Sequence, residues 1–228
     1  MNRKNPFKWR HFEREIILLN VRWYLRYALS NTLEEMMRER GLTVAHMTIY
    51  RWVQYYSPEI EKRCRRHLRP TNDSYRVDET YIKVKGKWKY LYRAVDSQGN
   101  TIEFLLRAKR DTNAAKRFFQ KALKRPHTSL PRVITVDKNP AYPAAAEKLK
   151  SEGILPESCE LRQVKVNDIV EQDHRFIKRL VKPGLGFQSF QTAWRTLRGY
   201  ETMHMIRKGQ AEGVANYPPR PPLLIPTE

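Results

Sequence analysis

Three acidic residues stand out against the basic surroundings of this chain. Asp78 lies within Tyr75-Arg76-Val77-Asp78-Glu79-Thr80-Tyr81, a run otherwise built largely from strand-forming residues. Asp137 directly follows Val133-Ile134-Thr135-Val136, and Glu171 falls one turn into a helix that begins near Asp168. A carboxylate in an apolar strand costs desolvation unless something positive compensates it. Each has an ordinary reading alone, as an edge-strand polar residue, a turn starter or a first-turn helix acid. Together they offer a specific chemistry. Hard divalent cations take clustered oxygen ligands, and a two-ion site for phosphoryl transfer uses about three carboxylates around ions roughly 4 Å apart. Glu171, Arg175 and Lys178 stand at i, i+4 and i+7 and share a helix face, with His174 beside them, so Arg175 and Lys178 are placed to hold a phosphate next to such a site or to form wet-face ion pairs.

These residues need a scaffold to converge, and the hydrophobic period describes one. Up to residue 70 it is helical: a first helix from about Phe12 to Ala28, a second opened by an Asn31/Glu34 capping box and closed by Gly41, and a third capped by Thr43. Ser57-Pro58 is expected to open a further basic helix ending at the linker Pro70-Thr71-Asn72-Asp73. Short helix, glycine turn and aromatic-rich helix make a helix-turn-helix pattern, with His46 and Arg51 available for base or phosphate contact. After the linker the period becomes 2. Strands are expected at Ser74 to Val84, Trp88 to Asp96 and Thr101 to Ala108, then a helix capped by Asp111, a short strand from Arg132 to Val136, a helix from Tyr142 to Ser151, a strand from Leu161 to Val164, a helix through Val181 and a long helix from Ser189 to Lys208. The division is residues 1–70, 71–210 and a Pro-rich tail over 211–228, expected to be extended. An α/β sheet with helices on its faces follows, in the order of a ribonuclease-H-like core behind an all-α helix-turn-helix domain. In such a sheet Asp78 and Asp137 meet at the centre if their strands are neighbours, with Glu171 arriving from a helix laid across them.

Composition narrows the partners. The 228 residues carry 44 Lys+Arg against 24 Asp+Glu, a formal charge of +20, and residues 1–70 alone hold 15 against 7. That charge points to a polyanion, nucleic acid ahead of an anionic membrane. A 40% share of aliphatic and aromatic residues is too rich for a disordered basic tail, and no apolar run reaches the length of a membrane span, so a cytoplasmic location is expected. Cys64 and Cys159 have neither disulfide-scaffold nor zinc-site spacing. A nonenzymatic DNA-binding regulator, which would bind equally well in EDTA, and a different ribonuclease-H-like nuclease stay open on the residues alone.

The chain resembles the DDE-type bacterial insertion-sequence transposases, and within them the insertion-sequence-six family, over nearly its whole length. The similarity is carried by Asn20-Val21-Arg22-Trp23-Tyr24, Thr48-Ile49-Tyr50-Arg51-Trp52-Val53, Val77-Asp78-Glu79-Thr80-Tyr81-Ile82-Lys83, Thr135-Val136-Asp137-Lys138-Asn139, Ile169-Val170-Glu171-Gln172-Asp173-His174-Arg175 and Gly199-Tyr200-Glu201. The resemblance implies a catalytic triad of Asp78, Asp137 and Glu171 that binds two Mg²⁺, with Mn²⁺ able to substitute, and the 34-residue step from Asp137 to Glu171 fits the family's short interval. Lys178 matches the basic residue that follows the glutamate in such enzymes. Also implied are double-stranded DNA partners, both element ends and target, nicking at the 3′ ends, strand transfer giving cointegrates, and a homodimer or larger assembly on the bacterial nucleoid. The long C-terminal helix, with Phe190, Trp194, Leu197, Met203 and Ile206, is a candidate for the contact between copies or for packing within its own domain. The stretch from Ala28 to Glu34 departs from the Tyr-Arg-Asp run that the family commonly carries there.

Overall fold

The computed structural model describes residues 6–7, 11–27, 30–165 and 168–213. Three helices come first: α1 (Arg14–Tyr27), α2 (Ser30–Arg38) and α3 (His46–Cys64). Gly41, at φ +72°, closes α2 as expected, with Leu42 N–H returning to the Met37 carbonyl at 2.9 Å. The expected caps differ. The side chain of Asn31 lies outside the described residues, as do Ala28 and Leu29 of the departing stretch. The residue before α3 is Ala45, not Thr43, and it offers no side-chain cap. The Glu34 carboxylate of α2 takes that role, accepting the His46 N–H at 2.8 Å. This locks the two helices of the turn together and places an acid at a helix N-terminus, where the dipole favours it. Pro58 does not start a new helix either; α3 runs straight through it. Packing of α3 along the last helix, where Arg198 donates to the Pro58 carbonyl at 3.3 Å, outweighs the lost backbone bond.

The sheet has strands β1 (Ser74–Val84), β2 (Lys87–Asp96), β3 (Thr101–Arg107), β4 (Val133–Val136) and β5 (Glu160–Gln163) in the order β3-β2-β1-β4-β5. The first three form an antiparallel meander; β4 lies parallel to β1 and β5 parallel to β4. Between and after them come α4 (Thr112–Leu123), whose cap Asp111 accepts the Ala114 N–H, α5 (Ala141–Ser151), α6 (Asp168–Val181) and α7 (Phe190–Arg207). This is the ribonuclease-H-like arrangement, with β1 at its centre and an all-α helix-turn-helix part in front.

Alternation along the strands gives the sheet two apolar faces. Tyr75, Val77, Tyr92, Ala94 and Ile102 pack on α4 and α5. Ile82, Val84, Leu91, Phe104 and Leu106 join a core shared by α6, α7 and the N-terminal helices. Within it, Gly199 of α7 lets the helices close up: a Cβ there would stand 2.5 Å from Leu25 and from the Ser57 hydroxyl. Leu197 and Met203 are buried and Trp194 and Ile206 partly buried against this core, so α7 commits most of its apolar positions inside the chain; Phe190 stays exposed. Tyr217 to Pro226, the expected extended tail, lies outside the described residues.

Candidate metal centre

Parallel pairing of β1 with β4 sets Arg76 beside Thr135, so two residues further along each strand Asp78 and Asp137 come side by side at the sheet's centre. Oxygen atoms of Asp78, Glu79 and Asp137 all lie within 4.8 Å of one another. Asp137 ends its strand in a turn: one carboxylate oxygen accepts the Asn139 N–H at 3.0 Å, and the other meets Arg110 at 2.6 Å. Arg110 also donates to Glu79 at 3.0 and 3.2 Å, so one guanidinium bridges two of the three acids.

Among the described residues Asp78 has no such partner. Its nearest basic group is His174 of α6, at 3.9 Å. Burial, reinforced by the Arg93 and Lys178 charges, holds the His174 imidazole down to about 3, so it is neutral there. Burial likewise raises the Asp78 carboxyl to about 7; the Glu79 N–H opposes the shift, while the charges of Glu79, Asp137 and Glu171 add to it. Glu171 is therefore within electrostatic reach of Asp78, although it is exposed on α6 and outside the close cluster of Asp78, Glu79 and Asp137.

The cross-strand neighbour of Asp78 is Arg93, on the same face of the sheet. It does not neutralise Asp78 because its guanidinium is committed elsewhere. Fully buried, Arg93 binds Glu201 of α7 at 2.7 and 2.9 Å and Asp173 of α6 at 2.6 Å, with the Phe176 ring over it. Asp173 also meets His204 at 2.6 Å and Lys208 at 3.2 Å. Burial alone would raise Asp173, but Arg93, His204 and Lys208 hold it well below the usual carboxylate range. Asp173 faces inward two residues beyond Glu171. The buried pairs thus fix the rotation of α6 that turns Glu171 outward beside the sheet.

The donor set suits a hard divalent ion: oxygen ligands only, crowded enough to repel, and one carboxyl raised by burial and like charges with no cation of its own. Of the residues singled out in the sequence, Asp78 and Asp137 come together and Glu171, Arg175 and Lys178 line the outward side of α6. His46 and Arg51 are exposed on the otherwise largely packed α3, remote in sequence and element from this cluster. Sequence reasoning missed Glu79, because alternation sends it to the opposite face from Asp78, and it missed Arg110, which is unremarkable in Lys109-Arg110-Asp111. The available signal was two adjacent acids in one buried strand, which require a cation nearby.

Comparison with known proteins places the chain in a family. A family described as a DDE domain matches residues 72–210. The transposase for insertion sequence-like element IS431mec of Staphylococcus aureus is 36% identical over 215 residues, 93% of either chain. The transposase for insertion sequence element IS257 in transposon Tn4003, also from Staphylococcus aureus, is equally similar over the same share. Among solved structures, the HTLV-2 integrase catalytic core domain in complex with magnesium aligns with a TM-score of 0.41 at 20% identity, covering 51% of this chain and 73% of that one.

Proposed function

This chain belongs to the DDE-domain family of insertion-sequence transposases, a family of polynucleotidyl transferases, and from that premise we propose that it binds the inverted repeats of its own element and moves them by nicking and strand transfer. The observation that carries this is the convergence of Asp78 and Asp137 beside α6, with the Glu171 charge acting on Asp78. In this reading Asp78, Asp137 and Glu171 hold two Mg²⁺, or Mn²⁺ in their place. Ions bound there supply Lewis acidity at the scissile phosphate.

The remaining work falls to the protein. Glu79 and Arg110 brace the buried side of the cluster, and Arg93 and Asp173 fix the helix that brings Glu171 to it. Lys178 and Arg175, exposed on the same helix face, hold DNA phosphates beside the carboxylates. His46 and Arg51 at the exposed start of α3 contact the element end, in the manner of a recognition helix. Residues 1–70 then serve end binding and 71–210 catalysis.

Two displacements at phosphorus suffice. Water attacks the phosphodiester at the element end, and the departing 3′ oxygen takes up a proton. That 3′ hydroxyl attacks a target phosphodiester, losing its proton as the target's own 3′ oxygen leaves. The second step exchanges one phosphodiester for another and needs no external energy source. Joining both ends to one target requires at least two copies and leaves a branched joint, which DNA synthesis from the freed target 3′ hydroxyls converts to a cointegrate, in the bacterial cytoplasm on nucleoid DNA.

A two-plasmid assay tests this: the gene with its native flanks on one plasmid and a marked target on the other. Wild type should give fused plasmids with the element at both junctions, and Asp137→Asn none. Fusion at the wild-type frequency with Asp137→Asn would refute the assignment.

A further inference from the structure

Beyond Arg76, β4 no longer covers β1, and the stretch of β1 from Thr80 to Lys83, before its bridge to Phe187, borders a groove of about 540 Å³. Its other wall is the end of α6 and the segment that follows. That segment is held close: Phe187 N–H bonds the Lys83 carbonyl at 2.8 Å, and a Cβ on Gly186 (φ +107°) would stand 2.7 Å from the same oxygen. Lys83, Lys178 and Lys182 line the groove and, among the described residues, no acidic one does.

Between these cations sit aromatic rings with no place in either core. Trp88 is 60% exposed and Tyr81 53%, and Leu185 beside them is 88% exposed. The Tyr81 and Trp88 rings meet edge to face at 6.4 Å, and the Lys83 ammonium stands 6.0 Å over the Trp88 ring. Exposed apolar surface of this kind, grouped and rimmed by one sign of charge, marks a binding site. Rings that accept a π-face, flanked by cations spaced for a backbone, are the chemistry of unpaired nucleic acid; bases inside a duplex keep their faces to each other. The groove starts where the carboxylates end. Thr80 lines it two residues after Asp78, and Lys178 is seven residues from Glu171 on the same helix face.

We propose that this groove is a stacking platform for an unpaired nucleotide of the DNA strand, with Trp88 and Tyr81 receiving the base and Lys83, Lys178 and Lys182 its flanking phosphates. It rests on the reading above only in placing that strand beside the carboxylates. The platform would hold open the last base pairs next to the bond that is cut.

Binding of the full-length protein to a 12-nucleotide single strand carrying 2-aminopurine, to the same sequence as a blunt duplex, and to a duplex with mismatched terminal pairs tests this in EDTA. The single strand and the mismatched duplex should show changed 2-aminopurine emission. Trp88→Ala should weaken single-strand binding roughly 5- to 140-fold, with blunt-duplex binding within about twofold. Trp88→Phe, which keeps a ring, should restore most of the loss, and Lys182→Gln should lower the single-strand salt slope by about 0.7. Wild-type single-strand affinity in both Trp88→Ala and Tyr81→Ala overturns the proposal. So does a change confined to self-association in light scattering, which makes the face a contact between copies. None of these readouts uses metal or strand transfer, so they stand apart from the fate of the carboxylate assignment.

Discussion

Asp78 pays for its position with its acidity. Its neighbour across the strands, Arg93, is bound to Glu201 and Asp173, and Arg110 is bound to Glu79 and Asp137. Asp78 is left half-buried among like charges, and its carboxyl is raised to about 7 from the ordinary carboxylate value. A raised folded-state value stabilises the protein while the group is protonated. That contribution is full below about pH 4 and is lost as pH rises through about 7. In EDTA, therefore, stability should fall between pH 5 and 8 by on the order of 2 kcal/mol on account of this group. Asp78→Asn should flatten that slope in thermal melts, and Mg²⁺ should recover the wild type at pH 8 by binding the folded state. Equal slopes in the two proteins would contradict the electrostatic picture of the site.

At the scale of elements, α6 carries the account. Asp173 points into the core and Glu171 out of it, and the buried pairs with Arg93 set which is which. Removing one partner of a buried ion pair strands the other, so Arg93→Met should cost about 3–5 kcal/mol, read as a lower denaturant midpoint. A loss below about 1 kcal/mol would show that α6 is held by its apolar face alone. A second charged knot ties the N-terminal part to the sheet. Burial alone would raise Glu103, but Arg65, Lys121 and Arg125 outweigh it and hold it down to about 2. Element order was legible in the sequence because hydrophobic period reports local burial: among the described residues the five strands and seven α-helices fall within about two residues of expectation, apart from the continuous α3. Pro58 misled because a long-range contact with α7 overrode a local signal. The Glu34 cap on α3 was invisible for the same reason, being a bond across twelve residues. Asp78 and Asp137 could be read from their strand contexts. Glu79, Arg110 and Arg93 could not, since their partners are set by which strands lie side by side.

For the whole molecule, the charge of +20 and the carboxylate cluster are complementary facts. In the proposed function, basic residues spread over both parts of the chain draw in DNA, and the acids gathered at one point of the sheet mark where its phosphates would react. The exposed side of α3, the outward side of α6 and the groove along β1 are the three footings proposed for that DNA. The most direct test of the account is strand transfer in Mg²⁺ by the purified full-length protein on a duplex carrying its own terminal repeat. Gel-shift binding of the same duplex should be read in parallel for wild type and Glu171→Gln. Glu171→Gln should lose strand transfer on the order of 10³-fold or more, with binding within about twofold. Strand transfer by Glu171→Gln within tenfold of wild type would contradict it and shift the third ligand to Glu79, the acid already beside Asp78 and Asp137.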